Sequence, residues 1–444
     1  MKKAQLAASA LAKALGLAGI GFLLVSQAFA AQPANRYTET LRKEPYSSGG
    51  RNFLNHFLVY PFELIRWPMD QSIDFTEKHH LDKKAQWLYE EIQDYGITPK
   101  ANLVSFSHMG AGADIDFVRL ARLKEEIPDG VVKGWVNWTR NVIFETGAEV
   151  GMERIAGTSF NTFGFVNYEN RPEEHFYGIG PQTSMGDGTS YRMEQTMVEG
   201  RTGYKWVPSL SLDVKYGYKN VNITNGEDGG RGIIDRIFPL GSVPGLAGDE
   251  LFHTGVEFQH DTRNYKESST RGGHERLAWS FVEGVDDSNA RYFKYETEAT
   301  RYIPLKSERR VLALHYYGEH NDSIGEHYVP FHQMAKLGGY GTYPRLSHTL
   351  RSFDSNRFFD ESAVLFNIEY RYTVWEYRDM KLDGVLFFDE GQVFGEFSEF
   401  QFSDFREAYG VGVRFHAANH VLLSVEFAHG DEGSSVYVKS GKPF

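Results

Sequence analysis

The chain has 444 residues, no cysteine, 33 Phe, 25 Tyr and 45 Gly, with a formal net charge of −12. Lack of cysteine excludes disulfide frameworks, thiolate zinc sites and cysteine nucleophiles, and 15% aromatic residues argue against disorder. The acidic balance without a Lys/Arg stripe argues against nucleic acid as a partner, and the lack of any run of ~18 apolar residues beyond the leader excludes a helical membrane bundle.

The N-terminus reads as an export signal. Met1-Lys2-Lys3 is basic, Leu15 to Val25 is apolar and small, and Ala28-Phe29-Ala30 is a small-x-small cleavage site. These features together make residues 1–30 a signal peptide. Its lysines (Lys2, Lys3, Lys13) leave with it, so the mature chain is more acidic still.

Residues 31–100 read as a helical periplasmic or plug segment. Asn52 to Trp67 carries Phe53, Phe57, Tyr60 and Leu64 at helical spacing, interrupted by Pro61. Leu81 to Tyr95 carries Leu81, Ala85, Leu88 and Ile92 on one stripe. This segment would lie at the membrane interface through Phe57, Tyr60 and Trp67, plug the lumen, or cap one end of the domain after it.

From 101 to 444 the pattern changes to period two. Leu210, Leu212, Val214, Tyr216 and Tyr218 alternate with Ser211, Asp213, Lys215, Gly217 and Lys219. Val364, Phe366, Ile368 and Tyr370 alternate with Leu365, Asn367, Glu369 and Arg371, and the stretches 408–416 and 420–427 behave alike. Strands are predicted at 101–108, 112–121, 131–140, 144–153, 158–168, 190–201, 207–219, 251–260, 276–284, 290–302, 309–318, 361–372, 382–394, 407–416, 419–428 and 434–442. Long loops span 169–189, 220–250 and 319–360, a length that usually carries a task. A soluble sandwich would turn the apolar face inward, so alternation alone does not choose. Export, strands of ~10 residues and an even strand number point to an all-β fold: a sixteen-stranded antiparallel transmembrane β-barrel in the bacterial outer membrane. Outer-membrane lipid and lipopolysaccharide are then its surroundings.

Several pieces in order carry a family resemblance. Leu337-Gly338-Gly339 precedes Leu350-Arg351-Ser352-Phe353, then Arg357-Phe358-Phe359-Asp360, Asn367-Ile368-Glu369-Tyr370-Arg371 and Phe387-Phe388-Asp389-Glu390-Gly391. Upstream stand Phe176-Tyr177-Gly178-Ile179-Gly180 and Asp261-Thr262-Arg263, and the chain ends in Tyr437 to Phe444. This set resembles the BamA/TamA outer-membrane assembly superfamily. The resemblance implies a sixteen-stranded barrel, an inward-folded loop with a Val/Leu-Arg-Gly-Phe/Tyr motif, and client outer-membrane proteins as partners. Assembly members carry POTRA domains with a β-α-α-β-β pattern. Residues 31–100 lack that pattern, so the chain looks like a short member without them.

The residues also speak for themselves. If Val364, Phe366, Ile368 and Tyr370 face lipid, Glu369 faces the lumen; if Leu382, Leu386 and Phe388 face out, Asp383 and Asp389 face in. Arg351 lies on a loop long enough to fold back, and one guanidinium can bind two carboxylates in a fork that lysine cannot copy. The expected structural lock is Arg351, Phe353, Glu369, Asp389 and Gly391. The competing reading is lumen charges bathed in water, each pair worth ~0–1 kcal/mol. Ser352 stands where the family has Gly, and is strained if that position needs a positive φ.

A weak seam is expected between the first and last strands, the latter carrying Val436, Val438, Gly441 and Phe444. Pro443 lacks an N–H, and Lys439, Ser440 and Lys442 make a poor lipid-facing edge. Such a seam could open sideways and pair with an incoming strand.

Other groupings read as bland. His315, His320, His327 and His332, with Glu319 and Glu326, read as a solvated loop rather than a metal site. His79-His80 reads as surface, and Gly229-Gly230-Arg231-Gly232 as a flexible loop rather than a phosphate cradle. No Ser/His spacing marks a nucleophile, so no catalytic residue, cofactor or metal is expected. Two functions remain: an assembly or translocation factor working through seam and loop, or a passive porin-like channel or surface antigen.

Overall fold

The computed structural model describes residues 95–444 except 106–107, 122, 124, 286–287, 342–347, 378–379, 418–419 and 443. The signal peptide, the helical segment up to residue 94, the His79-His80 pair and Pro443 lie outside the described residues. One antiparallel sheet of seventeen strands dominates, and the two-residue strand Gly232–Ile233 is its one minor member. The other sixteen are β1 (Ile97–Ser105), β2 (His108–Asp116), β3 (Gly130–Thr139), β4 (Ile143–Met152), β5 (Phe160–Phe176) and β6 (Thr189–Val207). Next come β7 (Leu210–Asn225), β8 (Gly248–Asp261), β9 (Gly272–Gly284), β10 (Arg291–Leu305) and β11 (Ser307–Ser323). The last five are β12 (Ser362–Tyr377), β13 (Met380–Phe394), β14 (Arg406–Ala417), β15 (His420–Gly430) and β16 (Gly433–Lys439). Each pairs with its sequence neighbour.

Each strand overlaps one expected from the alternation; the differences lie at the ends. β1 starts at Ile97, inside the stretch read as helical. β2 stops at Asp116 instead of 121, because the Asp116 carboxylate accepts the Arg119 N–H at 3.1 Å and caps a four-residue helix, Phe117–Leu120. β5, β6, β7 and β11 outrun a membrane span, and their continued ladders shorten the loops to 177–188, 226–247 and 324–361.

Which face is wet separates barrel from sandwich. Val198, Val214, Tyr216, Leu277, Phe366, Ile368, Leu386, Tyr409 and Val411 are exposed, whereas Asn367, Glu369, Asp389, Arg414 and Glu426 are buried. Apolar residues outside and charges inside are the order expected of a wall facing lipid. From β5 onward the longest loops come after odd-numbered strands (β5, β7, β11 and β13), and the turns after β6, β10, β12 and β14 shrink to one or two residues.

Candidate functional site

The loop 324–361 turns back into the lumen. Ala335–Leu337 pairs antiparallel with Phe358–Asp360, so the loop is a folded hairpin with its own two-stranded sheet. Gly338 (φ +134°) and Gly339 (φ +70°) make the bend, and a Cβ at Gly338 would collide with the backbone of Asp354 and Arg357. Leu337, Leu350, Phe353 and Phe358 pack with Tyr317, Leu365, Val393 and Ala408 of the barrel wall. A Cβ on Gly391 would stand 3.0 Å from Leu365 and 3.1 Å from Leu337, so that position admits the loop's close approach.

Arg351 lies at the centre and is fully buried. Its Nε donates to Asp389 Oδ2 and its Nη2 to Asp389 Oδ1, both at 2.6 Å; its backbone N–H adds a 3.1 Å bond to Oδ2. Nη1 donates to Glu369 Oε1 and to Glu426 Oε2, each at 2.9 Å. The guanidinium lies 3.5 Å from the centre of the Phe387 ring, a cation–π contact. Glu426 is a third carboxylate that the two-carboxylate expectation did not include.

The surplus negative charge is matched from the wall. Arg414 bridges Glu369 (2.7 and 2.8 Å) and Glu426 (2.6 and 2.8 Å), and Arg371 Nε reaches Glu369 Oε2 at 2.9 Å. Three guanidinium groups therefore face three carboxylates in a buried centre. Asn367 donates to Asp389 Oδ1 at 2.8 Å and to the Thr349 carbonyl at 2.9 Å, and Ser424 donates to Glu426 at 2.7 Å. These groups are not solvated charges. Glu426 was legible in principle, since the alternation that turns Val425 and Phe427 outward turns it in.

A second anchor ties the loop to the outer loops. Arg357 donates to Glu432 at 2.9 and 3.0 Å and to Thr183 at 2.6 and 2.7 Å. Tyr177 and Arg231 both donate to Asp354 Oδ2, at 2.6 and 2.7 Å. Burial opposes the charge on Asp354, but the hydrogen bonds from Tyr177 and Arg231 hold its pKa below the ordinary value. Arg231 thus belongs to this anchor rather than to a free loop. Ser352 has φ +76°, the positive value suspected from the sequence, and its N–H donates to the Tyr437 hydroxyl at 3.0 Å.

The histidines do not form a solvated loop either. His315 and His320 sit on β11, His315 pairing with Asn367 (2.8 Å) and Glu298 (3.2 Å). His332 is buried against Asp249 at 2.9 Å, on whose other oxygen Ser288 donates at 2.6 Å. The carboxylate separates Ser288 from the imidazole, so the three do not form a nucleophile–base pair. Among the described residues no three His, Asp or Glu side chains converge to hold a metal.

At the seam, β1 and β16 form no ladder among the described residues. They meet where the Ser440 N–H donates to the Leu103 carbonyl at 2.9 Å and the Leu103 N–H donates to Ser440 Oγ at 3.2 Å. β16 is the shortest of the sixteen strands, pairing with β15 from Ser424↔Lys439 to Gly430↔Gly433. Val436 faces outward and Val438 is buried. Gly441 (φ +85°) donates to the Val421 carbonyl at 3.0 Å, back toward β15. Phe444 does not extend the seam strand. It stacks on His315 (4.8 Å between ring centres, 7° between planes) beneath Arg371 and packs by Tyr302, Val311 and Ala313, all lumen-facing. The strand ends at Lys439, Gly441 takes a positive φ, and Phe444 lies inside the lumen.

The Omp85 superfamily domain matches residues 138–444. Among solved structures the chain is similar to BamA from Haemophilus ducreyi lacking POTRA domains 1–3, with 14% identity and a TM-score of 0.57 over 78% of this chain and 69% of that one. It is also similar to CdiB from Escherichia coli, with 11% identity and a TM-score of 0.49 over 78% of this chain and 63% of that one. No curated protein matches in sequence.

Proposed function

The chain belongs to the Omp85 superfamily of bacterial outer-membrane β-barrels, and from that premise we propose that it assembles or translocates other polypeptides through its seam. The observation that carries this reading is the contrast in closure. Among the described residues every other neighbouring pair of strands shares a ladder of at least seven residue pairs, some with bulges, while β1 and β16 meet around Leu103 and Ser440. So short a junction suits β-augmentation by an incoming strand. In this reading the Arg351 lock holds the hairpin against β12–β15 while the seam moves, so the wall beside the seam stays rigid. Client outer-membrane proteins are the partners it implies.

The chain's lack of cysteine makes the test clean. Leu103→Cys with Ser440→Cys should form a disulfide across the seam on oxidation. Purified barrel in liposomes should promote folding of a small outer-membrane barrel when reduced and lose that activity when oxidised. Folding that persists with the seam crosslinked removes lateral opening as the mechanism. Large steady conductance in planar bilayers, with no effect on client folding, would establish the passive channel.

A further inference from the structure

The loop between β13 and β14, residues 395–405 (GEFSEFQFSDF), lies on the outer wall of the barrel rather than over its mouth. Phe397 packs at a tilt against His320 of β11, 4.5 Å between ring centres, and Phe405 lies 6.4 Å from lipid-facing Phe366 of β12. Phe400 packs edge-on against Phe394, Phe402 and Phe405 at 5.1–5.9 Å. The Gln401 carbonyl accepts from Gln392 of β13 at 3.0 Å, and the Gly395 carbonyl accepts from Ser362 of β12 at 2.8 Å. With this scaffold fixed, Phe397 and Phe402 remain 68% and 85% exposed. Large apolar side chains so presented call for an apolar partner.

The depth of the loop identifies that partner. Going up the outer face of β13, Leu386 and Phe388 give way to Glu390, which pairs with Glu407 of β14. Two adjacent carboxylates do not enter hydrocarbon, so the apolar band ends at their level. Phe366 lies opposite Glu390 on β12, and Phe405 reaches down to it. Phe405, and Phe402 stacked beside it at 6.4 Å, therefore reach the boundary between headgroups and acyl chains, whereas Phe397, against His320 opposite Ser362, stands four residues higher on the wall. Its acids Glu396 and Glu399 are exposed and Asp404 is half-buried, the mixture of acids and aromatics found in an interfacial amphipathic segment.

We infer that residues 395–405 are a lateral foot that seats Phe402 at the upper end of the acyl chains of the outer leaflet beside β11–β14, with Phe397 in the headgroup layer above it. This face lies on the β16 side of the seam, with β15 and β16 between it and the junction, so the foot holds the wall beside the moving junction at constant depth.

Phe402→Cys in the full chain gives a unique site for an environment-sensitive fluorophore, and Phe397→Cys a second. Asp431→Cys, in the exposed turn between β15 and β16, supplies an aqueous reference. Each labelled protein is reconstituted in phosphatidylcholine vesicles, with heat-modifiability checking the fold. Nitroxide attached near the headgroup end of the acyl chains should quench the labels at 397 and 402 strongly, and aqueous iodide should quench them several-fold less than at 431. Iodide quenching at either site equal to that at 431 overturns the inference. Protection from both quenchers also overturns it, because the patch is then covered by a second copy of the protein.

Discussion

Arg351 and Asp389 meet through two parallel hydrogen bonds of 2.6 Å, with neither side chain open to solvent. A loop residue and a wall residue thus share a fork that fixes distance and angle together, which a point charge could not do. The same guanidinium reaches Glu369 and Glu426, so one side chain ties the hairpin to β12, β13 and β15.

Arg351→Ala should be among the most damaging single changes in the barrel. Asp389 would lose its one cationic partner among the described residues, and Glu369 and Glu426 would lean on Arg414 and Arg371 alone. Breaking a buried pair from one side costs ~3–5 kcal/mol, read as a fall in urea midpoint or in the temperature of gel-mobility change. Arg351→Lys should recover little. A loss below ~1 kcal/mol would mean that water reaches these charges after all.

Ser352→Gly should act in the opposite direction. Ser352 sits at φ +76°, where a side chain is strained. Its contacts to the wall run through its backbone, the N–H to Tyr437 and the carbonyl from Ser435 Oγ at 3.1 Å, so glycine keeps both. Stability should rise by up to ~1 kcal/mol in the same unfolding assay. Ser352→Val, β-branched at a positive φ, should lower it.

Much of this was legible because period two is a strong signal in a wall with one wet and one greasy face. Turning Phe366 and Ile368 outward turns Glu369 inward, and the same arithmetic places Asp389. The sequence hid what depends on distance. Nothing in the spacing shows that Glu426, on a strand separated from Arg351 by most of the C-terminal region, joins the same guanidinium. Nor does it show that Arg357 reaches Thr183 or that Arg231 reaches Asp354, since those contacts depend on how outer loops close over the hairpin. Phe444 was misplaced because alternation carries no information past the point where Gly441 takes a positive φ and the chain leaves the sheet.

Phe444→Ala tests that placement. The ring stacks on His315 and lies under Arg371, inside the lumen. Losing an aromatic contact of this kind costs ~1 kcal/mol beyond the area buried. The variant should also widen the lumen and raise single-channel conductance in planar bilayers. Unchanged conductance with unchanged stability would put Phe444 outside the lumen.

Asp360 predicts a pH dependence of the hairpin's outer end. Burial pushes its carboxyl from 3.8 up to about 6, the nearby Glu399 adds to this, and the Glu361 N–H, donating at 2.9 Å, only partly opposes it. Glu361 is raised as well, by burial and then by Asp360. A carboxyl raised on folding favours the folded state when protonated, so its contribution is complete below the ordinary value and is lost as pH climbs through about 6. Two pKa units correspond to at most ~3 kcal/mol. Asp354, held low, titrates beneath this window, and Lys336, lowered by burial to about 7, titrates above it. Amide exchange at 358–361 should therefore be slowest, after correction for intrinsic rates, near pH 4 and accelerate as pH rises until it levels off above about 6. Asp360→Asn should remove most of that acceleration and leave the smaller part due to Glu361; an unchanged profile in Asp360→Asn would show that another group controls the end of the hairpin.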